Sequence, residues 1–274
     1  MTAVVSMIEP ATTRVGRVNW IGLKTLYLKE VLRFFKVLPQ TVFAPMVTTL
    51  LFLIVFKVAI AANRPPLPGA IPFEYFLAPG LIMMGILQNS FMNSSSSLMT
   101  SKMQGNVVDV LMPPLSPAEL TTAYLLGAMT RGLVVALSIT VGMLLMPFPT
   151  LMVRHAWAIV YFAVSGSFLL SALGIVAGIW AEKFDHVAVV TNFFVTPLSF
   201  LSGTFYSVDR LGHFWGKLSH INPFFFIIGG FRYGFTGEAG GLDVAQGVVA
   251  LLVLNVTAFV ACHQIFKSGY RLKS

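Results

Sequence analysis

The chain has 274 residues, of which 56% are hydrophobic and only 10% are charged. Soluble domains carry roughly 25% charged residues, so this composition excludes an ordinary soluble protein and indicates an integral membrane protein. The formal net charge of +8 comes from short clusters between apolar runs, without a basic stripe and interleaved aromatics, which argues against nucleic acid binding. The single cysteine, Cys262, excludes an internal disulfide and a CxxC metal site.

A helical pattern precedes the first apolar run. Its apolar side carries Trp20, Leu23, Tyr27, Val31 and Phe34. Its polar side carries Thr25, Lys29, Arg33 and Lys36. This spacing predicts an amphipathic helix that lies along the membrane surface. The pattern leaves open whether the helix only anchors the chain beside anionic lipid or also acts as a lever on a cytoplasmic partner.

Six apolar segments are long enough to cross a bilayer at about 1.5 Å per residue. They fall near residues 41–62, 75–101, 117–146, 156–181, 187–208 and 244–266. Most of the 18 Lys and Arg residues lie on the side of the N terminus, so the positive-inside rule predicts that both termini are cytoplasmic. We therefore predict an all-α integral membrane protein with six transmembrane helices. It divides into a tail and amphipathic helix, residues 1–38, and a six-span domain, residues 39–274.

Two segments between the spans carry signals of their own. Residues 101–118 hold apolar side chains between Gly105 and a double proline, which predicts a short helix suited to an external partner; a plain solvated connector is the alternative. The sequence at 116–119, SPAE, matches a capping box that starts the third span. Residues 209–238 place an Asn-Pro break before a second apolar run, which predicts a re-entrant helical hairpin on the outer side.

Polar residues inside the spans are costly in lipid and need a reason. One face of the second span carries Asn89, Asn93, Ser97 and Thr100. This stripe either bonds to neighbouring helices or lines a pathway. Arg131 in the third span either snorkels to the surface or pairs inside the bundle. Gly174 and Gly178 in the fourth span permit close helix contact.

The sequence lacks the motifs of common enzymes. It contains no GxxxxGK[ST], HExxH or GxSxG, and its five histidines are scattered. The acidic residues form no pair suited to acid and base catalysis. We therefore predict no catalytic residue, no bound cofactor and no metal in this chain.

Three short segments resemble the signature of the ABC type-2 permease family: LSGTFY at 201–206, LSHINP at 218–223 and GFRYG at 230–234. Their order and spacing also match, and the likeness extends over nearly the whole chain. Gly212 stands where many relatives have proline. The chain therefore resembles the transmembrane subunit of a type V ABC exporter of the bacterial inner membrane.

This resemblance implies a permease that works as a homodimer with two cytoplasmic ABC ATPase subunits. ATP and Mg would be bound by those partner subunits. The amphipathic helix and the first cytoplasmic loop would contact the ATPase, and the candidate residues there are Lys29, Arg33, Gln104, Asn106 and Asp109.

The resemblance also implies that the second and fifth spans face the pathway at the dimer axis. Candidate pathway residues are Asn89, Asn93, Asn192, Phe193, Thr196 and Pro197. Candidates for the outer gate are Thr204 and Phe205, and those for the outer hairpin are Asn222, Pro223, Arg232 and Tyr233. Ordinary packing is the alternative for Phe193 and Phe205, and anchoring at the membrane interface is the alternative for Arg232 and Tyr233.

The implied function is ATP-driven export of a hydrophobic, lipid-linked or saccharide-type substrate outward across the inner membrane. The family resemblance covers nodulation-factor, polysaccharide, lipid and drug exporters alike. A membrane scaffold or assembly factor with this fold and no coupled transport is the alternative. A lipid-modifying enzyme would need a catalytic dyad, which we do not find in the sequence.

Overall fold

The computed structural model describes residues 18–60, 72–147, 151–206, 221–239 and 241–271. Within these ranges every regular element is a helix. In chain order they are α1 (Trp20–Phe35), α2 (Ala44–Ile60, preceded by a π-helical turn at Pro39–Phe43), α3 (Phe73–Met103), α4 (Val107–Leu111), α5 (Pro117–Leu144), α6 (Ala156–Trp180), α7 (Phe184–Leu201), α8 (Pro223–Thr236) and α9 (Val244–Ser268).

The predicted number of spans is confirmed for the described ranges. Six helices there are long and apolar enough to cross a membrane: α2 with its π turn, α3, α5, α6, α7 and α9. They agree with the predicted segments to within a few residues, except for the fifth.

The fifth span differs from the prediction at both ends. It occupies Phe184–Leu201 instead of residues 187–208. Lys183 is extended and lets the helix begin directly after it, and Gly203, with a φ of 79°, turns the chain away two residues after the helix ends. Residues 207–220, which contain the first part of the predicted hairpin, lie outside the described ranges.

Both π-helical turns come just before a proline. The turn Pro39–Phe43 precedes Pro45, and the turn Thr191–Val195 inside α7 precedes Pro197. Proline has no N–H to donate, and its ring clashes with the carbonyl group four residues earlier. A locally wider turn accommodates both defects, so α2 and α7 continue through their prolines as single helices.

The centre of the bundle is α3, which packs against α5, α6 and α8. Its contact with α6 is close because glycine faces it: a Cβ at Gly178 would lie 2.8 Å from the backbone oxygen of Ser95. Gly174 is pressed in the same way against the backbone of Phe91. The predicted role of these two glycines in close helix packing is therefore confirmed.

The helix ends are held by specific contacts. The Ser116 side chain accepts from the backbone N–H of Glu119, and the Glu119 carboxylate accepts from Ser116, so the predicted capping box is confirmed. At the end of α6, Lys102 donates to the carbonyl oxygens of Ile179 and Ala181, both at 2.7 Å. Cations at a helix C terminus satisfy its last carbonyl groups and favour its dipole.

Candidate functional site

A buried carboxylate lies at the end of the bundle that carries α1, called here the α1 end. The Glu30 side chain on α1 is fully buried although it carries a charge. Ser97 of α3 donates to its Oε1 at 2.7 Å, and Arg33 Nη2 lies 3.3 Å from its Oε2. A charge removed from water needs such partners, so Glu30 is held in place by an ion pair and a hydrogen bond.

Two arginines bind the polar stripe of α3. Arg33 donates through Nη2 to the backbone oxygen of Asn93 at 2.7 Å and to its Oδ1 at 3.0 Å. Arg131 of α5 donates to Oδ1 of Asn89 at 3.2 Å. We call Glu30, Arg33, Asn89, Asn93, Ser97 and Arg131 the α1-end cluster. Of the two alternatives for the stripe, bonding to neighbouring helices is what the structure shows for these residues; a pathway role for Asn89 and Asn93 stays a prediction.

The sequence pattern did not single out Glu30. The buried positions of α1 are Leu26, Glu30 and Phe34, of which only Phe34 belongs to the predicted apolar side. Trp20, on that predicted apolar side, is 70% exposed. The spacing of Leu26, Glu30 and Phe34 at four residues does place them on one helix face, so the signal was an acidic residue in the middle of an apolar row.

The start of α1 is joined to the segment between α4 and α5. The backbone N–H of Asn19 donates to Glu119 Oε1 at 2.6 Å, and the Asn19 amide donates to the carbonyl oxygen of Pro114 at 3.3 Å. A Cβ at Gly22 would come within 2.7 Å of Leu115 Cδ2, which shows how closely the two segments approach. We call α1 together with residues 104–116 the α1–loop unit.

The α1–loop unit presents a mixed surface. The predicted short helix is confirmed as α4, and its neighbours Gln104 and Asn106 are exposed, with the Asn106 amide 3.3 Å from Gln104 Oε1. Asp109 and Lys29 are exposed as well. Large apolar side chains stand beside these polar groups: Trp20, Ile21, Val108 and Met112. Of the five predicted ATPase-coupling residues, only Arg33 points into the bundle.

The predicted pathway residues of α7 are largely exposed in a single copy of the chain. Asn192 and Pro197 are exposed, Thr196 is half-buried, and the Phe193 ring is 73% exposed. Asn89 and Asn93, by contrast, are buried and bonded in the α1-end cluster. In one copy of the chain the α7 members of the predicted set are thus mostly exposed, whereas the α3 members are buried.

At the opposite end, called here the α8 end, one arginine joins three helices. Arg232 of α8 donates through Nε to the carbonyl oxygen of Phe76 at 3.0 Å and through Nη2 to that of Gly203 at 2.8 Å. Its guanidinium carbon lies 3.8 Å from the centre of the Phe76 ring. Gly80 makes room for it, since a Cβ there would lie 2.9 Å from Nη2. Arg232 is thus buried inside the protein. Anchoring at the membrane interface was the alternative given for it in the sequence analysis.

The other predicted residues of the α8 end surround this contact. Thr204 is fully buried and donates to the Ser199 carbonyl at 2.6 Å, and the Phe205 ring stacks on Phe56 at 4.8 Å. Asn222 caps α8, whose first residue is Pro223, and its amide donates to Leu198 and Ser202 of the α7 end. The Tyr233 ring stacks on His155 at 4.4 Å. These contacts fix the end of α7 against α2, α3 and α8.

Among the described residues, no three His, Cys, Asp or Glu side chains lie close enough to hold a metal ion. The described part of the chain offers six candidate spans, a mixed exposed surface at the α1 end and internal polar contacts. This is the architecture of a polytopic membrane protein with polar contacts between its helices.

Comparison with known proteins defines the family. The model of the family described as ABC-2 type transporter matches residues 22–236, and this chain belongs to that family. It is similar to "Inner membrane transport permease YadH" of Escherichia coli (strain K12), with 34% identity over 93% of this chain and 98% of the relative. The protein of the same name from Shigella flexneri is equally similar. "Nodulation protein J" of Sinorhizobium fredii (strain NBRC 101917 / NGR234) is 24% identical over 69% of this chain and 71% of the relative.

The chain is accordingly an ABC-2 membrane permease and a multi-pass protein of the inner membrane. Permease subunits of this family lack an ATPase domain, so membership implies partnering with an ATP-binding cassette subunit. The family resemblance read from the sequence is confirmed.

Proposed function

We propose that two copies of this chain and two cassette ATPases form an exporter that moves a hydrophobic, lipid-linked or saccharide-type substrate outward. The observation that supports this best is the physical continuity of the α1 end. The α1–loop unit joins an exposed surface to Arg33, and Arg33 bonds directly to α3 through Asn93. A partner that moves the loop therefore moves a helix bonded to the central span.

The coupling step follows from these contacts. The cassettes would bind ATP and Mg, and when the two cassettes approach each other they would push on Gln104, Asn106 and Asp109 at the exposed loop. Because the Asn19 amide bonds to Pro114 of the loop, the push shifts α1 and the Glu30–Arg33 pair relative to α3. A packed bundle responds to such a shift by moving between discrete arrangements, which is how alternating access works.

The pathway belongs at the axis between two copies. The membrane-facing sides of α2 and α7 expose large apolar residues, among them Phe52, Val55 and Phe193. A second copy covers part of this surface and encloses Asn192, Phe193, Thr196 and Pro197 in a pathway whose outer end lies at Thr204 and Phe205. Two-fold symmetry makes the same patch serve both partners.

The outer hairpin follows from the position of α8. This helix has 14 residues, and its length of about 21 Å is too short for a bilayer core of about 30 Å. It begins beside the end of α7, where the Asn222 amide lies 2.8 Å from Ser202 Oγ. We therefore assign it as the returning arm of a re-entrant hairpin at the outer face, with both chain termini in the cytoplasm.

The coupling role is tested by reconstituting the permease with its cassette ATPase in vesicles. We expect Asp109→Ala and Gln104→Ala to reduce the permease-stimulated ATPase rate several-fold because both side chains are exposed on the loop. Glu238→Ala is the matched control, since it removes an exposed carboxylate at the α8 end. If the loop variants stimulate the ATPase as well as the native chain, the exporter proposal fails and a scaffold without coupled transport takes its place.

A further inference from the structure

A groove opens toward the membrane between α6 and α7. It has a volume of about 410 Å³, within the range of ligand pockets, and every residue that lines it is apolar. The walls are formed mainly by Leu173, Val176 and Trp180 of α6 and by Val190, Phe194 and Leu198 of α7. Leu173, Val176 and Trp180 are between a third and a half exposed in one protomer, so the groove is accessible from the side.

The groove is long enough to hold a lipid acyl chain: its α7 wall, from Val190 to Leu198, extends about 12 Å, and Phe224 at the start of α8 also lines it. Its α6 wall, from Leu173 to Trp180, covers the last two turns of that helix, or about 10 Å. One leaflet contributes about 15 Å of hydrocarbon. Trp180 stands at the end of the groove nearest the loop that joins α6 to α7, and Trp is the residue that favours the boundary between hydrocarbon and headgroups.

Positive charge collects at this end. The segments that meet here carry four cations and two carboxylates: Lys102, Lys183, Lys267 and Arg271 against Glu182 and Asp185. Arg271 donates to the carbonyl oxygen of Trp180 itself at 2.9 Å, and its Nη1 lies 3.6 Å from Glu182 Oε1, an exposed ion pair that leaves other N–H groups of the guanidinium open to a phosphate. Lys102 uses two of its three N–H groups on the adjacent carbonyls of Ile179 and Ala181, and an ammonium group has a third to offer.

We propose that the groove binds one acyl chain of an anionic phospholipid from the leaflet at the α1 end, with Lys183 and Arg271 holding its phosphate. The apolar groove suits the acyl chain of an anionic lipid, and the excess of cations at its end suits the headgroup. The groove shares no residue with the predicted pathway set of α7, so this lipid is a bound component and not the cargo. This proposal rests on the proposed function only for the orientation of the bundle, with the α1 end on the cytoplasmic side.

Trp180 supplies the reporter for the test. The full chain carries four tryptophans, so the variant with Trp20→Phe, Trp157→Phe and Trp215→Phe leaves Trp180 alone. It is reconstituted in vesicles that contain either phosphatidylglycerol or phosphatidylcholine brominated in the acyl chain. Quenching of Trp180 fluorescence at equal mole fractions measures the relative binding of the two lipids. We expect a preference for phosphatidylglycerol of about 3- to 10-fold.

Two pairs of variants in this background separate the headgroup from the slot. Lys183→Gln with Arg271→Gln should bring the preference close to one, whereas Lys24→Gln, an exposed cation elsewhere at the same end, should leave it unchanged. Val176→Phe fills the groove and should reduce quenching by both lipids. Val141→Phe, on an exposed face of α5, is the control for added bulk and should not.

Equal quenching by both lipids, unchanged by loss of Lys183 and Arg271, would overturn the proposal by showing that Trp180 meets bulk lipid. Absence of quenching by either lipid, with disulfide formation between Val176→Cys copies, would also overturn it because a second copy then covers the groove. Neither readout uses ATP hydrolysis or transport. Failure of this proposal is therefore distinguishable from failure of the exporter proposal.

Discussion

Each end of the bundle binds α3 through an arginine on a helix that is not among the candidate spans, but the two arginines use different partners. Arg33 on α1 bonds to side chains and one backbone oxygen, and it pairs with the Glu30 carboxylate. Arg232 on α8 bonds to backbone carbonyl oxygens and covers the ring of Phe76. One end is therefore a network of movable groups and the other is a fixed clamp.

The difference between the two sets of arginine contacts affects how easily each end of the bundle can move. In the described part of the chain, Arg33 Nε, Arg131 Nε and the Asn93 amide nitrogen are buried without a hydrogen-bond acceptor. An unpaired buried donor is costly in a low dielectric, so a change of rotamer that gives these donors an acceptor offsets part of the cost of leaving the present partners. Carbonyl groups of the α7 end and of α3 cannot turn without moving the backbone. We infer that the α1 end transmits motion and that the α8 end resists it.

Removing the clamp should have the largest effect on stability. Arg232→Ala removes the donors that Arg232 supplies to the carbonyl oxygens of Phe76 and Gly203 and takes a buried side chain out of the bundle, so we expect the free energy of unfolding to fall by about 3 to 5 kcal/mol. Chemical denaturation of the purified permease in mild detergent measures it. Arg232→Lys, which keeps the charge but not the planar fork, should lose about half as much. A stable Ala variant would contradict the assignment of a clamp.

Breaking the ion pair at the α1 end should have the second largest effect. Arg33→Leu leaves the Glu30 carboxylate buried without its cation, which should cost about 3 kcal/mol in the same denaturation experiment. Adding Glu30→Gln removes that charge, and the double variant should recover at least about 1 kcal/mol. Strictly additive losses would show that the two side chains are not coupled and would remove the basis for comparing the two ends.

Adding a methyl group beside Arg232 should lower the free energy of unfolding by a smaller amount. In Gly80→Ala the new Cβ would lie 2.8 Å from the Thr204 carbonyl oxygen and 2.9 Å from Arg232, so α3 and the α7 end must separate, at a cost of about 2 kcal/mol. Gly85→Ala is the matched control on the same helix, because its Cβ meets only the flexible end of Ile139. The Gly80 loss should exceed the Gly85 loss; the reverse order would contradict a fixed clamp at Thr204.

The exposed face of α7 should contribute least to the stability of one chain. The Phe193 ring is 73% exposed, so Phe193→Ala should change the free energy of unfolding by no more than about 0.5 kcal/mol. The same variant should lower transport in vesicles if Phe193 lines the pathway. A large loss of stability would instead indicate that Phe193 packs in the folded unit, which is the alternative considered from the sequence.

Several features could be predicted because they depend only on local sequence. The capping box at Ser116 and Glu119 and the short helix α4 need no distant partner, and Gly178 marks close packing wherever its helix meets another. The partners of polar side chains could not be predicted in this way. Whether Asn89 faces Arg131 or a pathway depends on how α3 is rotated against α5, and that rotation is set by packing across the whole bundle.

The sequence by itself determined that the protein lies in a membrane, how many candidate spans it has and to which family it belongs. The length of an apolar run and the presence of a short motif are properties of the linear sequence, so neither depends on the folded structure. Only the tertiary structure decided that Glu30 is buried, that Arg33 turns inward and that Arg232 holds the end of α7. A charged side chain can be tolerated at those depths only when its partners arrive from other helices. The sequence does not state which helices these are, because their contact is created by folding.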